Sequence, residues 1–181
     1  MHKLVLALGL LLPLAAQAET PLPIADDDAA MKAAIVAARS TLDTFIARLS
    51  APLADSSTML LKVQITDGHQ CEHFWVNELA QDPAGFSGNL TNEAVAVKGY
   101  KLGQKVTFSR DQISDWAYRD GNKMAGGYTM CAMFVQLPPA QSAAYQKDYG
   151  LNCGTLLPSP LPSAAESNAK LPVNLQSCKG G

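Results

Sequence analysis

Three features of the sequence predict an α+β fold: one long N-terminal helix packed on a curved antiparallel sheet of five or six strands, with a Pro-rich C-terminal extension. Apolar residues recur at spacings of three and four over residues 27–49, the helical period. From residue 58 the period becomes two, the period of a half-buried strand. Glycine-bearing turns then separate short β-forming segments as far as Pro138-Pro139.

The helix comes first. Asp26-Asp27-Asp28 offers an N-cap and negative charge at its N-terminus. Met31, Ile35, Ala38, Leu42, Phe45 and Leu49 make one apolar stripe, and Lys32, Arg39, Ser40 and Asp43 lie opposite. Its alanines let the partner surface approach closely. Pro52 ends the run. The polar face lacks the rows of lysine and arginine that a membrane-surface helix carries.

The strands follow. "TMLLKVQIT", 58–66, alternates through Leu61, Val63 and Ile65, and Asp67-Gly68 is a hairpin signal leading into "CEHFWVNEL". Gly85, Gly88 and Asn89 bracket a short segment near Phe86, "EAVAVK" reads as another strand, and "KVTFS" as a further one. "DQISDWAYRDGNK" reads as a short irregular element before a turn at Asp120-Gly121-Asn122, and "GGYTMCAMFVQL" as the last strand. Beyond Pro138-Pro139 a brief helix is expected over residues 140–149. A proline- and serine-rich tail then wraps the domain or is partly disordered.

The ends say where the chain works. Lys3, the apolar run Leu4–Leu14 and the small-x-small site Ala16-Gln17-Ala18 spell a cleaved signal peptide over residues 1–18. The run falls short of the roughly 20 apolar residues that span a bilayer, and no later segment is long and apolar enough to insert stably after cleavage. The domains are therefore read as signal peptide 1–18, α+β domain 19–137 and extension 138–181. The net charge is −2 before Lys3 is removed, so the surface offers no grip on nucleic-acid phosphates. In an exported chain the four cysteines, Cys71, Cys131, Cys153 and Cys178, predict two disulfides. Three pairings exist. The favoured one joins Cys71 to Cys131, stapling the domain, and Cys153 to Cys178, closing the tail.

His69-Gln-Cys-Glu72-His73 matches the HxxEH pattern of one class of zinc peptidase. Two histidines four apart share a metal only on a helix. In a strand those four residues cover about 13 Å, and Phe74-Trp75-Val76 are β-formers. Cleavage of the signal peptide leaves no other histidine in the chain. No metal and no cofactor is therefore assigned. Alternation places Cys71, His73, Trp75 and Asn77 on one face and Glu72, Phe74 and Val76 on the other.

"EHFWV", "FSGNLTNEA", "LGQKVTFSRDQISDWAY" and "GGYT", in that order after the helix, resemble the YegJ-like family, a bacterial domain family of unknown function, over roughly residues 26–135. The resemblance implies a shared fold and no particular reaction. It marks Glu72, His73, Trp75, Asn92, Ser114, Asp115, Trp116, Gly126, Gly127 and Thr129 as candidate functional or signature residues. Cys131 stands where a polar residue is expected.

His73 is the side chain closest to chemistry: a general base, with Ser114 or Ser109 as nucleophile and Asp115 as orienter. Against this, Ser114 and Asp115 are adjacent and in a regular strand point to opposite faces, and the GxSxG elbow is missing. No catalytic residue is therefore assigned. Trp75 and Trp116 read as core or rim packing, with an exposed tryptophan a natural anchor. Asp115 reads as a turn cap, and Glu72 as a solvated residue in reach of Arg110 or Arg119. Gly126-Gly127 reads as a bulge or a tight strand entry.

These readings give a non-enzymatic exported protein, periplasmic, that binds a protein partner; one version is an immunity-type protein that neutralises a toxin. A hydrolase using His73 with Asp115 or Glu72 is the alternative. A third reading is an envelope scaffold or small-ligand module, which an apolar pocket beside Trp75 and Trp116 favours.

Overall fold

A computed structural model describes residues 28–51 and 56–176. The segment read as a signal peptide, the leader 19–25, Asp26, Asp27 and Cys178 lie outside the described residues. The fold is α+β, with a six-stranded antiparallel sheet and several helices.

The N-terminal helix is two helices, not one. Asp28 caps the first through its carboxylate, which accepts from the Met31 amide at 2.6 Å. That helix, α1, runs Ala29–Ser40, and α2 runs Leu42–Leu49. The break is at Thr41 (φ −111°, ψ 3°). Its hydroxyl bonds back to the carbonyls of Ala37 and Ala38, and the Trp116 indole N–H donates to the same Ala38 carbonyl at 3.0 Å. A β-branched residue with such back-bonds bends a helix. The apolar stripe survives the bend: Ala38, Leu42 and Phe45 are all buried. Lys32 is buried too, though its place on the polar face suggested exposure. Its ammonium donates to the Asn168 side chain and the Gln176 carbonyl of the C-terminal segment.

The sheet order is β4-β3-β2-β1-β5-β6. β1 (Leu60–Thr66) and β2 (Cys71–Asp82) form the expected hairpin, pairing Leu61 with Val76 and Val63 with Phe74. β3 (Gly85–Leu90) and β4 (Lys105–Phe108) extend one side, and β5 (Ile113–Asp120) and β6 (Lys123–Gly126) the other. Leu61, Val63, Ile65, Phe74 and Val76 meet α1 and α2 in the main core. Burying such side chains contributes about 1.5–3 kcal/mol each.

Three segments depart from the sequence reading. "EAVAVK" is an irregular loop, because the amides of Val95, Ala96 and Val97 are taken by the Glu72 carboxylate rather than by a neighbouring strand. "ISDWAYRD" is the strand β5, with both faces covered from Ile113 to Ala117. The segment read as the last strand is the helix α3, Tyr128–Phe134. Gly126 and Gly127, both at φ +76°, end β6, and a carboxylate from β5 then takes the first helical amides.

After α3 comes α4 (Pro139–Tyr149), the brief helix expected there. The expected tail is partly helical: α5 (Cys153–Leu156), α6 (Ala164–Asn168) and α7 (Val173–Gln176) follow, and Leu171 and Leu175 bury against Ile35 of α1. The disulfide joins Cys131 of α3 to Cys153 of α5. Both favoured pairings therefore fall, since each assigned one of these two cysteines elsewhere. Cys71 is also disulfide-bonded.

Candidate functional site

The signature blocks converge on one row of polar side chains across β2, β1 and β5. Strand register starts it: Gln64 faces His73, Lys62 faces Trp75, and Lys62 faces Asp115 on the other side. Between Lys62 and Val63 the β1–β5 register slips, so Ser114 is an extra residue in β5 without a ladder partner. This is a β-bulge. It overturns the expectation that Ser114 and Asp115 diverge. Ser114 reaches His73, and Asp115 serves Thr129, which also receives Lys62.

The His73 Nδ1 atom lies 2.8 Å from the Ser114 Oγ, and that hydroxyl donates to the Lys62 carbonyl at 3.2 Å. A hydroxyl has one hydrogen. With that hydrogen on the Lys62 carbonyl the Ser114 oxygen accepts from a ring protonated at Nδ1; the other tautomer of the ring accepts the Ser114 hydroxyl instead. Burial, aided by the nearby Lys62 charge, lowers the His73 pKa to about 3. The serine hydroxyl thus lies between the imidazole and the Lys62 carbonyl, within hydrogen-bond reach of both.

Asp115 is a structural hub. Its carboxylate, fully buried, accepts from the amides of Trp116, Tyr128 and Thr129 and from the Thr129 hydroxyl. These bonds anchor the start of α3 on β5. Burial pushes the Asp115 pKa up, and the hydrogen bonds from Thr129 and Trp116 and the charge of Lys62 oppose that rise. The Lys62 ammonium donates to the Thr129 hydroxyl at 3.1 Å and stands 5.7 Å from the Trp75 ring centroid. Burial lowers its pKa, and Asp115 pulls it back up. In this row Asp115 and Lys62 share the Thr129 hydroxyl, and His73 bonds Ser114.

Other candidates lie elsewhere. Glu72 holds the 95–97 loop and pairs with neither arginine; Arg110 pairs with Asp43 at 2.8 Å. Asn92 accepts from the Trp75 amide at 3.2 Å, tying that loop's base to β2. Trp116 is core, 7% exposed, beside Phe45 and Tyr128, whereas Trp75 is half-buried. Ser109 belongs to the Arg110–Gln112 turn, where it pairs with Gln112. Gly126 lies so close to Trp116 that a Cβ there would meet its carbonyl and ring. Neither Asp115 nor Glu72 contacts His73 by hydrogen bond; its ring partner is Ser114. His69 sits in the turn before β2, its amide donating to Asp67, so the backbone from Cys71 to Asn77 is extended as expected. Among the described residues no group of three or more His, Cys, Asp or Glu side chains is placed to hold a metal.

Sequence reasoning missed Lys62 and the role of Thr129. The available signal was a lysine interrupting the apolar run "LLKVQIT" in phase with Gln64. Alternation assigns that phase to solvent, whereas here it faces β5 and α3.

A model of the family described as uncharacterized protein conserved in bacteria (DUF2314) matches residues 28–153. The chain is 34% identical over 116 residues to the uncharacterized protein YegJ of Escherichia coli (strain K12), spanning 64% of this chain and 74% of that one. It is 30% identical over 88 residues to a putative ankyrin repeat protein of Neisseria meningitidis serogroup B, spanning 49% of this chain and 35% of that protein. No solved structure matches the chain. On the extent of these matches, which cover the hairpin, the bulged strand and α3 alike, the chain belongs to the DUF2314 family of uncharacterized proteins conserved in bacteria.

Proposed function

We propose that this chain is an exported, non-enzymatic protein that binds a protein partner in the periplasm, in one version as an immunity-type inhibitor of a toxin. The observation that supports the non-enzymatic part is that the Ser114 hydroxyl lies between His73 and the Lys62 carbonyl, while neither Asp115 nor Glu72 is hydrogen-bonded to the imidazole. That arrangement is a strut across three strands. A serine hydrolase needs an imidazole that is oriented by a carboxylate and accepts the hydroxyl proton. Asp115 and Glu72, the orienters a hydrolase would use, are spent on backbone amides of α3 and the 95–97 loop.

Export is supported by the apolar N-terminal run with its Ala16-Gln17-Ala18 site, and by the Cys131–Cys153 disulfide, which suits an oxidising compartment. No helix among the described residues is long and apolar enough to cross a membrane. Partner binding is supported by Trp75, which is only half-buried on β2 and offers an aromatic anchor to a partner.

The test is purification of the full chain from periplasm under conditions where its partner is expressed, followed by cross-linking and mass determination. A stoichiometric heterocomplex that exchanges with free chain is expected. A monodisperse monomer that captures nothing contradicts the proposal, as does hydrolysis of an ester or peptide panel that S114A abolishes.

One observation favours a small-ligand module as the second reading. A groove of about 730 Å³ lies between α1 and the segment 155–170, lined by Val36, Leu157, Pro158, Pro160 and Leu161 among others. Neither Trp75 nor Trp116 lines it. Saturable uptake of an apolar fluorescent probe, lost in V36E, supports this reading; no uptake contradicts it.

A further inference from the structure

We infer that Met124 and Met130 form a binding site for a soft monovalent metal ion, Cu(I) by chemical class. Gly127 stands between the two sulfurs. Its φ is +76°, and it has no side chain. At the point where a Cβ would stand, the sulfur of Met124 is 3.4 Å away and the sulfur of Met130 is 3.5 Å away. One sulfur comes from β6 and the other from α3, so the chain brings them together only through the Gly126-Gly127 turn.

The surroundings suit a soft ion. Met124, Met130 and Met133 are all half-buried, and all pack against the apolar cluster of Cys131, Phe134, Leu151 and Cys153. Met133 is one helical turn from Met130, on the same side of α3. A cleft of about 370 Å³, lined in part by Lys123, Met124, Leu151 and Asn152, opens the Met124 side of the site to solvent. Methionine is unbranched and has three rotatable bonds, so both thioethers have rotamers with which to adapt to an ion.

Donor chemistry selects the ion. Thioethers are neutral, soft ligands that favour Cu(I), whereas zinc, manganese and calcium need thiolate, imidazole or carboxylate donors. Among the described residues no cluster of such donors is found, and no cysteine is free to compete, since the thiols are oxidised. Gap filling alone leaves leucine as good as methionine at both positions. Metal binding does not, and that difference separates the two roles.

The experiment uses the full mature chain with disulfides intact and methionine methyl groups carbon-13 labelled. Ag(I), a redox-inert stand-in, is titrated first, then Cu(I) held reduced by ascorbate without oxygen. The expected result is a one-to-one complex in native mass spectrometry. The Met124 and Met130 methyl resonances shift together, and those of Met31 and Met59 stay in place. The M124L/M130L double variant should keep its melting temperature and lose affinity by about tenfold or more. Unshifted Met124 and Met130 methyls at saturating Ag(I), or a folded double variant that binds as the parent does, overturns the inference. Neither result bears on partner binding, which is read by complex formation.

Discussion

Asp115 on β5 and Thr129 on α3 are bound twice: the Thr129 amide and its hydroxyl both reach the same carboxylate oxygen at 2.7 Å. A strand side chain thereby takes the place of the missing N-cap, because Gly127 at that position has no side chain to give. The Lys62 ammonium closes the group from β1. Fold and candidate site are the same network here. The residues that most resemble a catalytic set hold a helix against a sheet.

D115N tests that role. Losing the carboxylate weakens the cap on α3 and removes the electrostatic support that Asp115 gives Lys62 through the shared Thr129 hydroxyl. A loss of about 3–5 kcal/mol in unfolding free energy is expected, the scale for breaking one side of a buried pair. K62M added to D115N should cost less than the two single changes summed, since it removes the stranded charge. Chemical denaturation of the four proteins checks this; strict additivity contradicts it.

The two signature glycines should differ. A Cβ at Gly126 meets the Trp116 carbonyl and ring, whereas at Gly127 its nearest contact is the movable Leu151 side chain at 3.2 Å. Both positions have φ +76°, so both substitutions carry backbone strain of about 1–3 kcal/mol. G126A is expected to fold poorly or lose about 3 kcal/mol or more, and G127A to lose clearly less. Thermal melts of the two variants decide it.

The disulfide is directly testable. Peptide mapping without reduction should yield a Cys131–Cys153 link and no Cys71–Cys131 link. C131A/C153A opens a link of sequence separation 22 and is expected to cost about 3 kcal/mol.

His73 sets a pH window. Its folded pKa, near 3, lies below the unfolded value of about 6.5. Below pH 6.5 the unfolded chain takes up a proton that the folded chain refuses. The contribution is fully present above about pH 6.5 and falls toward pH 3, at up to about 1.4 kcal/mol per pH unit. Asp67, held down to about 2 by amide hydrogen bonds, loses its own contribution only below about 3.8, and comparison of the parent with H73Q separates the histidine from Asp115, whose pKa burial raises. H73Q should show a flatter stability profile from about pH 4 to 6 in denaturant titrations.

The hairpin was readable from the chain because its signals are local. Leu61, Val63 and Ile65 alternate, Asp67-Gly68 turns, and Phe74 and Val76 answer across the ladder. α3 was not, because the group that starts it is Asp115, far back in the chain, while "TMCAMF" satisfies strand and helix about equally. The Ser114 bulge has no glycine to mark it, and the break at Thr41 depends on Tyr128 and Trp116, which bond to its hydroxyl. The same non-locality hid the site. Sequence signals singled out His73, Ser114 and Asp115, but their grouping requires the bulge, and the part played by Lys62 requires the β1–β5 register.

The most direct measurement is nitrogen-15 NMR of the His73 imidazole across pH. The account predicts a neutral ring protonated on Nδ1 from pH 7 down to about 4, its Nδ1 resonance altered in S114A. An imidazole that titrates near 6.5, or that carries its neutral proton on Nε2 and accepts from Ser114, would restore a base and a nucleophile and contradict the account.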